Sequence, residues 1–151
     1  MRAAAGTGAP AAPPLGYLLV DAVRLMRRDF RARTTGLRLT PALARLLFHV
    51  NRVPGARQAV LAAYLEVTPV TLGRMIDRLV ERGYVRRRPD AADRRAVRVY
   101  VAPAGEPLVA RMNEVGALIT ARAMRGLSAA ERKELLRLLS RLRTNLGGGG
   151  Q

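Results

Sequence analysis

Residues 60–105, VLAAYLEVTPVTLGRMIDRLVERGYVRRRPDAADRRAVRVYVAPAG, constrain this chain more than any other stretch. The pattern predicts two helices joined by a tight turn, then a short hairpin with an arginine-loaded tip. Leu72, Ile76 and Leu79 stand at i, i+4 and i+7 and share one face of the second helix. Thr71, Arg74 and Arg78, at i, i+3 and i+7, share a different, polar face. Leu61, Leu65, Val67 and Met75 complete the apolar set, and Ala62 and Ala63 are small enough to let the second helix cross close by. Thr68 and Pro69 open that helix as N-cap and first helical residue. A helix and a basic loop side by side are the pair of elements that enters a major groove and touches the next minor groove.

The hairpin tip RRRPDAADRR gathers Arg86, Arg87, Arg88, Arg94 and Arg95 around one loop, with Asp90 and Asp93 among them. A projecting tip of this kind suits a narrow minor groove, where negative potential concentrates. Phosphate would repel Asp93, so it is expected to hold a neighbouring arginine, such as Arg74 or Arg95, in one pose. Arg74 is the side chain expected at a base edge, because arginine on guanine is the commonest specific pairing. The plainer alternative is a solvated amphipathic helix followed by an exposed charged turn. Five arginines in ten residues, against two acids, argue against that alternative. Basic RNA-binding loops look similar, but the 4% aromatic content disfavours stacking on single strands.

With 151 residues and 49% hydrophobic composition, the chain can build one full core. Its formal charge of +16 comes from 27 basic and 11 acidic residues, and Lys133 is the only lysine. Arginine offers a fork of donors matched to phosphates and guanine edges, where lysine is a point charge. Such a charge fits nucleic acid, an anionic membrane surface or an acidic partner. No apolar run approaches the ~20 residues that span a bilayer, so no membrane partner is expected. With no cysteine there is no disulfide, thiolate metal site or thiol switch, which fits a reducing cytoplasm.

The chain reads as one domain over 15–146, between an Ala/Gly/Pro-rich tail (1–14, expected disordered) and a Gly-rich tail (147–151). A first helix is predicted from Leu15 to about Arg33, broken at Gly36; a second starts at Thr40-Pro41, runs to about Arg52 and stops before the turn Pro54-Gly55. The third and fourth cover about 56–65 and 69–82, with strands at 84–88 and 96–101. A fifth helix covers about 103–125, ended by Gly126; a capping box, Ser128 with Glu131, opens the last one at about 129–146. The fold class is therefore mainly α with a small β-hairpin wing: a winged helix-turn-helix over about 36–101, with further helices at 15–33 and 103–146. Leu135, Leu138, Leu142 and Leu146 form one stripe on the last helix, which Leu139 widens. A terminal stripe with no intrachain partner left is expected to bury itself against a second copy of the chain; packing within the monomer is the alternative.

These pieces resemble the MarR family of winged-helix transcriptional regulators, the SlyA-like branch in particular. The likeness runs through LTP before the second helix, VLAAYLEVTPVTLGRMIDRLVERGYV, the hairpin RRRPDAADRRAVRVYV, PAG opening the fifth helix and GLSAAERKELLRLLSRL at the end, roughly residues 15–146. It implies a homodimer interlocked through the first, fifth and sixth helices and seated on a pseudo-palindromic double-stranded DNA operator, most often as a repressor. It implies that Arg95 enters the minor groove while Asp93 braces it, and it puts Thr68, Pro69, Thr71 and Arg74 at recognition positions. Many relatives are released from DNA by small phenolic or aromatic anions, which makes Tyr17, Arg45 and the sole histidine, His49, candidates for such a pocket. A lone helix histidine, however, is more often simply packed. Three departures stand out: Glu66 where the turn often has glycine, Ala44 where relatives often carry tryptophan, and Ala102 in place of a threonine cap.

Catalysis has little support: no cysteine, one histidine, no phosphate-cradling glycine loop and no metal-ligand spacing, so no catalytic residue, metal or cofactor is expected. Asp77 and Glu81, four apart with Arg74 and Arg78 nearby, are expected to form surface ion pairs. The rival to a sequence-specific regulator is an architectural protein that coats DNA, since charge alone drives non-specific binding.

Overall fold

The computed structural model describes residues 13–93 and 95–147. Helix α1 spans Leu15–Arg33, and a short 3-10 turn, Thr35–Leu37, leads to α2, Pro41–Arg52. Strand β1 is only Ala56–Arg57, followed by α3, Gln58–Leu65, and α4, Pro69–Glu81. Strands β2, Val85–Pro89, and β3, Val97–Val101, form the hairpin; a 3-10 turn at Pro103–Gly105 then leads into α5, Glu106–Ala123, and α6, Ala129–Gly147.

The caps set these boundaries. The Thr40 hydroxyl accepts from the Leu43 N–H, and the Thr68 hydroxyl accepts from the Thr71 N–H, each with proline at the first helical position. At α6 the capping box closes both ways: Glu131 Oε2 accepts from the Ser128 N–H at 2.7 Å, and Ser128 Oγ accepts from the Glu131 N–H at 3.3 Å. Its backbone and hydroxyl bonds hold the Glu131 carboxyl below the usual range, the Ser128 hydroxyl first. Ala102 supplies no side-chain cap, as its identity implies.

Two expectations are corrected. Residues 56 and 57 are strand rather than helix: Ala56 pairs with Val99 and Arg57 with Arg98, so the hairpin becomes a three-stranded antiparallel sheet in the order β1-β3-β2. Of the two alanines expected at the helix crossing, Ala62 is buried and Ala63 is exposed. Gly36 lies in the 3-10 turn that follows α1, and Arg38, at φ 50°, turns left-handed after it. Arg82 donates to the Arg38 carbonyl at 2.8 Å and ties that turn to the end of α4.

One core joins these elements. Leu43, Leu46, Leu47 and Val50 of α2 meet Leu61 and Leu65 of α3, Leu72, Ile76 and Leu79 of α4, Val85 and Val99 of the sheet, and Val109 and Met112 of α5. Each fully buried leucine contributes about 1.5–3 kcal/mol, so this cluster fixes how α4 sits against the hairpin. By contrast, α1 and α6 bury none of their residues. Asp29 on α1 joins Arg33 at 2.9 Å and Arg122 of α5 at 3.1 Å, and Arg33 chiefly holds its carboxyl below the usual range. No single helix among the described residues is long and apolar enough to cross a membrane.

Candidate nucleic-acid interface

The chain direction turns by 107° between α3 and α4, within the range of a helix-turn-helix. The turn is made by Glu66, at φ 56° and ψ 44°, and closed by the Val67 N–H donating to the Ala62 carbonyl. With Leu72, Ile76 and Leu79 buried, the opposite face of α4 is left outward: Thr68, Pro69, Thr71, Arg74 and Arg78 are all exposed. The Thr68 hydroxyl donates to the Thr71 hydroxyl at 2.9 Å, so the two threonines form one polar unit at the helix N-terminus. Neither Arg74 nor Arg78 is in an ion pair among the described residues.

The hairpin is fastened to this helix. Asp77 of α4 pairs with Arg87 of β2 at 2.7 Å, instead of with Arg74 or Arg78 on its own helix. The pair is half-exposed and worth at most about 1 kcal/mol; its consequence is geometric, since it ties wing to helix. Arg87 therefore turns towards α4, while Arg86 and Arg88 lie on the other face of the sheet. Arg88 sits over the Tyr100 ring, 5.6 Å from its centroid. Asp93 braces no guanidinium among the described residues: its Oδ1 accepts from the Arg95 backbone N–H at 3.0 Å, shaping the loop rather than holding Arg74. Arg95 is exposed; Arg94 lies outside the described residues.

Asp90 is the residue that sequence reasoning missed. Its side chain is 2% exposed and takes two guanidiniums on one oxygen, Arg57 Nε at 2.8 Å and Arg98 Nε at 3.0 Å. Its other oxygen accepts from the Ala92 N–H at 3.0 Å. That backbone bond first, then the two arginines, hold its carboxyl below the usual range. The available signal was a carboxylate next to Pro89 in a loop otherwise rich in arginine; its partners are a strand away.

The three pocket candidates differ in burial. Tyr17 is exposed on α1 and Arg45 on α2. His49 is 9% exposed and stacks on Tyr64, with ring centroids 3.6 Å apart. Burial, and then Arg52, lowers its pKa, which leaves the ring neutral and packed. An open groove of about 340 Å³ lies elsewhere, lined by Asn51, Val101, Glu106, Val109, Ala110 and Asn113. On α6, Leu135, Leu138, Leu139 and Leu146 are exposed and Leu142 half-buried.

A capped helix turned across its predecessor, with an outward polar face and an arginine-rich hairpin tied to it, defines a winged helix-turn-helix protein. Known proteins agree. A MarR family model matches residues 39–96. A MarR family transcriptional regulator from Silicibacter pomeroyi superposes with a TM-score of 0.76 at 29% identity, over 86% of this chain and 88% of that one. The transcriptional regulator SlyA gives 0.75 at 25%, over 89% and 94%. A cysteine-to-serine mutant of E. coli MarR, complexed with operator DNA, gives 0.68 at 28%, over 85% and 93%. The chain is similar to the MarR family of winged-helix transcriptional regulators and shares their fold over most of its length.

Proposed function

We propose that this chain is a homodimeric, sequence-specific DNA-binding repressor and not an enzyme. One observation carries the reading: the exposed Thr68, Thr71, Arg74 and Arg78 face of α4, locked by Arg87–Asp77 to a hairpin whose loop presents Arg95. Hydroxyls and guanidiniums facing outward suit phosphates and base edges. The E. coli MarR mutant solved with operator DNA supports the same use of the fold. In this reading Arg74 reads a base edge in the major groove, Arg94 and Arg95 probe the minor groove, and the protein works in the cytoplasm with its DNA. The helices at 15–33 and 103–146 form the dimer. Release by a small aromatic anion completes the reading, with Tyr17, Arg45 and His49, the last stacked on Tyr64, as its candidate contacts.

The test is selection of bound sequences from a random duplex library at physiological salt. An inverted repeat with half-sites about 10 bp apart is expected. Tight binding with no enriched motif would instead make the chain an architectural DNA-coating protein. With an operator in hand, Arg74→Ala is expected to cost about 1–3 kcal/mol and relax preference at one guanine. Uniform weakening across all sequences would show that Arg74 holds only phosphate. Benzoate titrated into the complex tests release.

A further inference from the structure

In the three-stranded sheet, cross-strand partners point to the same face. Ala56 and Val99 are partners and both buried, so their neighbours in register, Arg57 and Arg98, lie on the outer face. Arg98 is also the partner of Arg88 on β2. Arg57, Arg98 and Arg88 thus stand in one row across three strands, about 5 Å from strand to strand. The row lies one register step from the Pro89–Val97 pair that closes the hairpin loop, at the loop end of the sheet.

Like charges directly opposite one another destabilise a sheet, and this row opposes three guanidiniums with one carboxylate, Asp90. Asp90 takes Nε from both Arg57 and Arg98 on one carboxylate oxygen, which holds the two guanidiniums side by side and leaves their terminal nitrogens to other acceptors. Arg98 spends one of these on the Gly55 carbonyl at 3.0 Å. Among the described residues, Arg57 has no acceptor besides Asp90, and Arg88 has no hydrogen-bond or ion-pair partner and lies over the Tyr100 ring. The Arg57 and Arg98 side chains remain 44% and 39% exposed. The result is a pre-oriented row of donors with excess positive charge, on the face of the sheet turned away from the buried core.

We infer that this row is a phosphate-binding site for the backbone of duplex DNA flanking the half-site, separate from the α4 face and the loop tip, with Asp90 as its positioning residue. The inference rests on the DNA-binding reading above. Arginine forks hold phosphate oxygens in paired, charge-assisted hydrogen bonds, and such contacts add affinity without sequence information. The site therefore lengthens the footprint and leaves operator choice to α4.

The experiment measures operator and non-operator affinity against salt for the full chain, for Arg57→Gln and for Arg88→Gln, on duplexes ending at the half-sites and on duplexes extended beyond them. Each variant is expected to lower the slope of log K against log salt by about one and to weaken binding about threefold at physiological salt. The loss should be equal on operator and non-operator DNA and confined to the extended duplexes. If Arg57→Gln lowers the unfolding midpoint, Arg88→Gln, which removes no hydrogen bond or ion pair among the described residues, carries the test alone. Unchanged slopes, with Arg95→Ala still weakening binding, would overturn the row and leave the DNA reading intact. A wild-type chain that retains no duplex even at low salt would overturn both. Resonances of the Arg57 and Arg88 Nε–H groups should shift with extended duplex; equal shifts with millimolar inorganic phosphate alone would assign the site to a free anion instead.

Discussion

Glu66 sits in the left-handed region, at φ 56° and ψ 44°. A side chain there costs about 1–2 kcal/mol, and glycine is relieved of it. Glycine is the residue such a turn favours, and the turn here does hold a positive φ with Glu66 in its place. Glu66→Gly is therefore expected to stabilise the chain by about 0.5–1 kcal/mol, after the added freedom of the unfolded chain is set against the relief. Urea unfolding with an unchanged m-value measures it, and a loss of stability would mean that the Glu66 side chain makes a contribution the backbone geometry does not reveal. His49 makes a second prediction. Burial lowers its folded pKa, so the unfolded chain binds the proton more readily. The stability tied to this residue is complete above about pH 6.5 and is lost as pH falls through that value, levelling off below the folded pKa. In His49→Phe, which keeps a ring against Tyr64, that part of the pH dependence of the urea midpoint should vanish; a wild-type slope in the variant would put the titration elsewhere.

At the scale of elements, the junction between hairpin and α5 is the tightest point. A Cβ on Gly105 would lie 2.2 Å from the Tyr84 carbonyl oxygen, which itself accepts the Ala102 N–H at 2.9 Å. Backbone cannot step aside as a side-chain tip can, so Gly105→Ala is expected to cost about 1–3 kcal/mol and to weaken operator binding by shifting the root of β2. Gly116→Ala, with open space around it on α5, is the control; equal melting temperatures for the two would sink the steric account. Elements with local determinants were legible in the sequence. Thr40-Pro41, Thr68-Pro69 and Ser128 with Glu131 announce their helix starts, and the leucine periodicity of α4 gives its buried and open faces. Strand β1 was not legible, because two residues have no periodicity and become a strand only by pairing with β3, more than forty residues away. Asp90 was missed for the same reason: its partners Arg57 and Arg98 come from different strands, and Arg57 is 33 positions distant. The Asp77–Arg87 tie was also hidden, since helix spacing offered Asp77 nearer partners. The recognition face could be read from one helix; the bracing around it needed the tertiary fold.

At the scale of the whole molecule, the monomer is strongly asymmetric in how it spends its apolar surface. The winged portion closes a core, while α1 and α6 leave Leu15, Leu18, Val23, Met26, Leu135 and Leu138 each more than a third exposed. These two helices come from the opposite ends of the chain, so a second copy that covered both would join the two winged portions into one two-fold unit. Two half-sites a helical turn apart need such a unit, and joining two weak contacts raises overall affinity by about 10²–10⁴ without any new contact to DNA. Leu138→Glu tests the coupling. Leu138 is 48% exposed and α6 contributes nothing to the core, so the variant should keep its winged fold and its helical content. It should sediment as a monomer where the wild type is expected to sediment as a dimer, and its operator affinity should fall by about a hundredfold or more, while binding to a single half-site stays near the wild-type value. A Leu138→Glu dimer with full operator affinity would move the interface off α6. A monomer with undiminished affinity would mean that one winged portion suffices, and the two-fold operator would lose its physical basis.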